Sequence, residues 1–499
     1  AKIANDVACS LTNIDCSKYD FFYTIRADSP IVGGPSGGSA ITLLTLAMLE
    51  EVPVSEEIAM TGMISSGGVV LPVDGIKEKI TAAQEANLKM VFIPELALTN
   101  AFELKENQTT LTYEDLTNFS ISIKPITNIA QALDVISNKE SYSQNTFQVT
   151  KEYTLTMKET RDKLCQRTNE LFLSLEEYSN EPSFIDAQKQ LNLSEETNLE
   201  QKYYASASFC YSANIKLREL QLRNISQEVL VQNYLSLQNS LKELNQKVDQ
   251  YKLKTYTDLE AYMIVKERLI ESQDYVDELN LTNISSSNLA YAIERHHSAF
   301  AWSVFLGVEG KPLQINQENL MSACIMELQE SEMIQSYLEV FLPSEYLTQI
   351  TTSTKHARTF MGEENYALCL YMATKAKANG NYVLTSLGIS EDNSTVKIID
   401  AKTDAIKRMI SKQNIFPIMG YSYLEYSSEL RTEDSHSSLL FSEYGLAFSD
   451  LTMYFPKQTQ YTLKNIPEAL KYLFFFILGM LFTIILLKFS QKRVPKRAN

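Results

Sequence analysis

The sequence predicts an α+β segment over residues 1–140, a long all-α array over 150–456, and one C-terminal transmembrane helix. Three observations carry this. The first 140 residues mix short β-type runs, Gly/Pro turns and brief amphipathic stretches. From Lys151 to Pro456 apolar residues recur near the 3.6 period, as at Leu217, Leu220, Val229, Leu230, Tyr234, Leu237, Leu241 and Leu244. From Tyr472 to Leu487 no residue is charged.

Each element follows in order. Phe21-Phe22-Tyr23-Thr24-Ile25 reads as a buried strand, and Gly33 to Ser36 as a turn. Ser36 to Glu50 reads as an amphipathic helix with Ile41, Leu44, Met48 and Leu49 on its apolar face. Ile58–Ile64 and Val69–Val73 read as a hairpin around Ser65-Ser66-Gly67-Gly68. Ile76 to Ala86 is the next helix, and Asn128 to Ser137 closes the segment. The polar stretch Lys139 to Gln148 is the expected boundary. Beyond it, long helices at 225–255 and 259–279 give way to shorter ones at 287–306, 319–341, 344–361, 365–379, 397–413 and 437–455. No clean repeat can be counted, so the region is read as a helical stalk and not as a named repeat. Tyr421, Tyr423 and Tyr426 mark a stretch read as core or as a partner surface.

The C-terminal reading divides into a juxtamembrane linker (457–470), a transmembrane helix (471–489) and a basic tail (490–499). With Lys471 and Lys488 snorkelling, the apolar run reaches the roughly 20 residues that span a bilayer. Lys488, Lys492, Arg493, Lys496 and Arg497 place the tail in the cytoplasm by the positive-inside rule, so the bulk of the chain faces outward from the cell membrane. N-x-S/T sequons at Asn107, Asn118, Asn192, Asn224, Asn280, Asn283 and Asn393 agree with a cell-surface glycoprotein. The six cysteines contain no metal knuckle. Cys9 and Cys16 are placed for a local bridge. Cys165 with Cys210, and Cys324 with Cys369, are matched by neighbourhood alone, with buried free thiols as the alternative. His296 and His297 lie in a helical run and imply no metal. A net charge of −16 argues against nucleic acid as a partner, no P-loop pattern implies ATP, and no cofactor is called for.

The chemistry-bearing residues are a serine on a Gly/Pro turn and a lysine in the first turn of a later helix. Gly34-Pro35-Ser36-Gly37-Gly38 supplies the first and Pro72-Val73-Asp74-Gly75-Ile76-Lys77-Glu78-Lys79 the second. A serine hydroxyl is a poor nucleophile until a base takes its proton, and a lysine can be that base only when it is neutral. Ser36 also sits at a helix N-terminus, where free N–H groups favour developing negative charge.

These blocks, with Ala59-Met60-Thr61-Gly62, Val70-Leu71-Pro72, Ala82-Ala83-Gln84-Glu85-Ala86 and Val91-Phe92-Ile93-Pro94, resemble the proteolytic domain of Lon-type Ser/Lys endopeptidases from Tyr19 to Glu95. The overall organisation resembles an ATPase-free, membrane-anchored branch of that family of the kind found in archaea. The resemblance implies Ser36 as nucleophile, Lys79 as general base and Thr61 as the residue orienting the amine, with Lys77 a bystander. It implies an oxyanion site from the backbone around Gly34, Ser36 and Gly37, polypeptide substrates and a homo-oligomer. Gly33, Met63 and Asp74 depart from the family pattern. The family also carries a longer strand-rich section before the serine, so the N-terminal part of the domain is read as missing or processed. The alternative is a catalytically silent cell-surface scaffold or a self-processing structural glycoprotein.

Overall fold

The computed structural model describes residues 2–449 except 13, 15, 27–33, 99–110, 139–146, 314–316, 388–391 and 413. The expected transmembrane helix at 471–489, its linker and its tail lie outside these residues. Among the described residues no helix is long and apolar enough to cross a membrane.

A three-stranded parallel sheet organises the first 140 residues. Its order is β1 (Ile58–Met60), β4 (Met90–Pro94), β5 (Ser122–Ile126), with Ala59 opposite Val91 and Val91 opposite Ile123. The central strand alternates faces, as strand geometry requires. Phe92 packs with α2 (Gly38–Leu49) and α4 (Ile129–Ser137) through Leu43, Leu46, Ile129 and Leu133. Val91 and Ile93 pack on the other face against Ile76, Ile80 and Ala83 of α3 (Ile76–Glu85). An N-terminal helix, α1 (Lys2–Leu11), lies against α2. The two-stranded ribbon β2 (Met63–Ile64) and β3 (Val70–Leu71) is antiparallel around a 3₁₀ turn at Ser66–Gly68.

Three expectations need correction here. Phe21–Ile25 is not a strand: it has no ladder partner among the described residues, and Phe22 is 91% and Ile25 66% exposed. Tyr23 instead ties this strap to α2 and α1, its hydroxyl 3.0 Å from Thr45 Oγ1 and accepting from Asn5. The α2 face is also rotated: Leu44 and Met48 are exposed, while Leu43, Leu46, Thr42 and Thr45 are buried. Thr42 and Thr45 tolerate burial because their hydroxyls donate to the carbonyls of Gly38 and Ile41. Finally, Ile58–Ile64 is not one hairpin strand. It breaks at Thr61-Gly62, leaving β1 to the parallel sheet and only β2 to the ribbon.

The all-α part follows the expected periodicity closely. It comprises α5 (Lys151–Ser174), α6 (Pro182–Leu199), α7 (Tyr203–Arg223), α8 (Gln227–Asp249), α9 (Tyr256–Asp277), α10 (Ser286–Trp302), α11 (Gln317–Leu338), α12 (Thr348–Gly362), α13 (Tyr366–Leu387), α14 (Asp392–Lys412), α15 (Ile418–Leu430) and α16 (Ser435–Phe448). Caps set many boundaries: Thr150, Ser226, Thr255, Ser285 and Asp434 each accept a backbone N–H of the turn they start. Buried from Asp258 to Leu269, α9 runs through the centre of the array.

A boundary at 140–150 divides the chain but not its core. Val69, Leu71 and Leu96 of the sheet segment share one apolar cluster with Ile398, Ile406 and Ile410 of α14, Leu424 of α15 and Leu439 and Leu446 of α16. The described residues accordingly fall in one compact unit, so the helices pack against the sheet segment instead of standing off as a stalk. At the ribbon tip a Cβ on Gly67 (φ 73°) would lie 2.7 Å from both Ala405 and Leu446. There Lys402 and Glu443, both with wholly buried side chains, form a 2.7 Å ion pair. Lys402 also donates to Ser65 Oγ at 2.5 Å, and Glu443 accepts from Ser66 and Thr385.

The cysteines pair as Cys9–Cys16, Cys165–Cys210 and Cys324–Cys369. The last two join α5 to α7 and α11 to α13, each across a separation of 45 residues. Loop-closure entropy for such a span is worth up to about 4 kcal/mol. Cys324→Ala with Cys369→Ala is expected to lower stability by about 2–4 kcal/mol in a urea titration.

Two buried glutamates set a pH dependence. Burial pushes the Glu260 carboxyl up to about 8, although the N–H groups of Met419 and Ile418 that it accepts pull the other way. Burial likewise raises Glu425 to about 7, against an N–H from Ala205. A glutamate in the unfolded chain titrates near 4.3. Both carboxyls therefore hold their protons more tightly when folded. Their stabilisation is complete below the unfolded value and is lost as pH rises to about 7–8. Melting temperature is expected to fall between pH 5 and pH 8. Glu260→Gln, which keeps an acceptor for Ile418, should flatten that fall by several degrees.

Candidate active site

The Ser36 turn is built by its neighbours. Gly34 adopts φ 96°, which favours glycine, and Pro35 presets the first position of a 3₁₀ turn, Pro35–Gly37, that runs into α2. Ser36 is half-buried. Gly34 and Gly37 are exposed, and a Cβ on either would meet nothing within 4 Å, so the rim of the turn is open to an approaching chain.

Two backbone hydrogen bonds fix this turn to the break between β1 and β2. The Gly62 N–H donates to Ser36 O at 3.0 Å, and the Ser39 N–H donates to Gly62 O at 3.2 Å. One residue earlier, the Thr61 N–H donates to Phe92 O of the central strand at 3.1 Å. Ser36 is thereby registered to the sheet through Thr61-Gly62, and Thr61 is buried. Gly62 has φ 150°, and a Cβ there would lie 2.5 Å from Val70 Cγ1 and 3.2 Å from Ser39 Oγ. Gly62→Ala is expected to shift the Ser36 turn, costing about 1–3 kcal/mol of stability and most of any hydrolytic rate. Calorimetry and a peptidase assay on the same preparation check both.

Lys79 sits in the first turn of α3, its N–H donating to the carbonyl of left-handed Gly75. The side chain is half-buried, whereas Lys77 is exposed. The Lys79 ammonium donates to Asp74 O at 2.8 Å, closing over the start of its own helix. No hydrogen bond among the described residues joins Lys79 to Ser36 or to Thr61. The structure thus links Ser36 to Thr61 through the Gly62 backbone, while a carbonyl holds Lys79 on α3, which packs on the opposite face of the sheet from α2.

The other sequence-marked residues fall as follows. Asn118, Asn192, Asn224, Asn280 and Asn283 are exposed, and Asn280 accepts from both the N–H and the hydroxyl of Thr282. Asn393 belongs to α14, and Asn107 lies outside the described residues. His296 and His297 are half-buried, and desolvation pushes both imidazoles down, His297 to about 4, which suits neutral histidines. Among the described residues no three His, Cys, Asp or Glu side chains cluster to hold a metal ion. Tyr421, Tyr423 and Tyr426 are half-buried. They pack inward, with Tyr426 4.7 Å from Phe441 and Tyr423 6.1 Å from Tyr204. Sequence reasoning missed the clamp at Gly62, for which the glycine inside a β-type run was the available signal.

Comparison with known proteins meets this geometry. The profile of the Lon protease (S16) C-terminal proteolytic domain matches residues 27–135. The Lon protease of Trichlorobacter lovleyi is 53% identical over 62 residues, covering 12% of this chain and 8% of that protein. The archaeal Lon protease of Halobacterium salinarum is 42% identical over 111 residues (22% and 14%), and that of Pyrococcus abyssi 34% over 121 residues (24% and 11%). The chain thus spans a small fraction of the length of these relatives. The Ser36 turn, the Thr61-Gly62 break and the Lys79 helix all fall inside the matched region. The chain carries a Lon-type (S16) proteolytic domain over residues 27–135.

Proposed function

We propose that this chain is a membrane-anchored, outward-facing serine endopeptidase that hydrolyses loose or unfolded polypeptide segments without ATP. The observation that carries this is the clamp of the Ser36 turn onto Thr61-Gly62, at the head of α2. Ser36 Oγ attacks the peptide carbonyl carbon as its proton passes to Lys79 Nζ, acting as general base. The resulting oxyanion sits at the N-terminal end of α2, where free backbone N–H groups favour negative charge. Collapse breaks the C–N bond, and Lys79 returns the proton to the leaving amine. A water then hydrolyses the Ser36 ester with Lys79 again as base. Lys79 must leave Asp74 O to do this, a rearrangement in keeping with catalytic contacts that tighten only around substrate. Thr61, adjacent to the clamp, receives the amine.

Paired cysteines and exposed sequon asparagines support an oxidising, outward location. The uncharged run from Tyr472 and the basic tail after it support anchoring with a cytoplasmic C-terminus. A homo-oligomer is part of this reading. The contact of Lys79 with its own helix start favours a second reading, a silent Lon-type scaffold. Cleavage of unfolded fluorescent casein by the detergent-solubilised full chain, without ATP, separates the two. Activity that rises from acid to alkaline pH and is lost in Ser36→Ala supports the peptidase. A folded chain with no activity supports the scaffold.

A further inference from the structure

A cavity of about 430 Å³ lies among α7, α9, α10, α13, α15 and α16, in helices the proteolytic reading does not use. We propose that it is a binding site for a small aromatic carboxylate. Its volume lies within the range of small-molecule sites. Its walls are aromatic: Trp302, Tyr204, Tyr371, Tyr423 and Phe441 line it, and Tyr204 meets Trp302 edge-on at 5.9 Å. A flat ring completes such edge-to-face packing.

The polar end of the cavity selects an anion. Glu267 and Glu271 are both engaged by Lys375 and Arg295, at 2.5–2.9 Å. Arg268 stands 5.0 Å over the Trp302 ring and donates to Ser298, with only a long 3.5 Å contact to Glu267. Three cations therefore face two carboxylates, and one positive charge remains. Two donors on this wall, the Arg295 Nε–H and the Tyr211 hydroxyl that lies within reach of the Arg295 side chain, are buried with no well-aligned hydrogen bond among the described residues. So is Asn379 Nδ2, in the orientation where Tyr444 donates to Asn379 Oδ1. Unmet donors beside one surplus positive charge fit the two oxygens and single charge of a carboxylate. A phosphate dianion would bring a second charge with no partner.

Trp302 is the only tryptophan of the chain, so its emission reports occupancy. The full chain in detergent is titrated with 3-phenylpropionate, 3-phenylpropionamide and acetate. Saturable quenching by the acid, at least about tenfold tighter than by the amide, is expected, with no response to acetate. Tyr211→Phe, which removes one unmet donor and leaves the ion pairs intact, should weaken the acid about tenfold and leave the amide unchanged. Arg295→Gln should do the same where circular dichroism confirms that it folds. A peptide ending in phenylalanine with a free carboxylate distinguishes two sources: its binding assigns the site to polypeptide C-termini, its failure beside a binding acid to free small acids. No saturable response up to about 10 mM, equal affinity for acid and amide, or an unchanged affinity in Tyr211→Phe overturns the proposal, and the cavity is then a water-filled packing defect.

Discussion

Ser36→Ala should lower peptide hydrolysis by about 10⁴-fold or more, with the fold intact. Loss of a covalent nucleophile has costs of this order, because the residual rate comes only from binding and charge stabilisation. Ser36 is half-buried on a turn whose hydrogen bonds, among the described residues, run through its carbonyl and through Gly62 and Ser39, not through its hydroxyl. The substitution therefore removes the attacking oxygen and disturbs little else. Lys79→Met should cost a similar factor, and the double variant little more than either, since nucleophile and base act as one unit. Lys77→Met, at an exposed position in the same turn, is expected to change the rate less than twofold. Single-turnover rates on a fluorogenic peptide, with circular dichroism as the fold control, check all four. Additive losses in the double variant would mean that the two side chains do not cooperate.

Lys402→Met carries the largest expected effect on stability. It leaves the Glu443 carboxylate wholly buried with only the Ser66 and Thr385 hydroxyls for company. Breaking one side of a buried pair costs about 3–5 kcal/mol, and replacing both partners by apolar residues recovers much of it. Lys402→Met with Glu443→Leu is thus expected to be more stable than Lys402→Met alone. The pair lies at the tip of the ribbon β2–β3, whose first residue follows the Gly62 clamp. Loosening it should also lower any hydrolytic rate, tying the helical part of the chain to the serine turn. Urea titration of the two variants measures this, and a loss below about 1 kcal/mol for Lys402→Met would show that water reaches the pair.

Local chemistry was legible in the sequence wherever a local signal decides structure. The helices of residues 151–449 follow the apolar period and the polar caps, and Gly34-Pro35 specifies its turn without outside help. What was illegible depends on partners distant in the chain. Phe21–Ile25 reads as a strand from composition, but a strand needs a ladder, and none is offered to it among the described residues. The α2 face was misread because Thr42 and Thr45 satisfy their hydroxyls within the helix and so join the core, displacing Leu44 and Met48. The shared core of Val69 and Leu71 with α14 and α16 joins residues more than 300 positions apart, beyond any periodicity argument. For the site, the motif blocks carried the family resemblance, which the match of residues 27–135 to the Lon proteolytic domain bears out. That Lys79 rests on Asp74 O was not readable, because it depends on one rotamer at a helix start.

The central claim is that Ser36 is an acylatable nucleophile. The most direct measurement treats the full chain with a β-lactone acylating probe at neutral to alkaline pH and maps the adduct by peptide mass spectrometry. The account predicts one ester on Ser36, formed at a rate that collapses in Lys79→Met. An unmodified Ser36 in a folded preparation, or an adduct whose formation ignores Lys79, would contradict it.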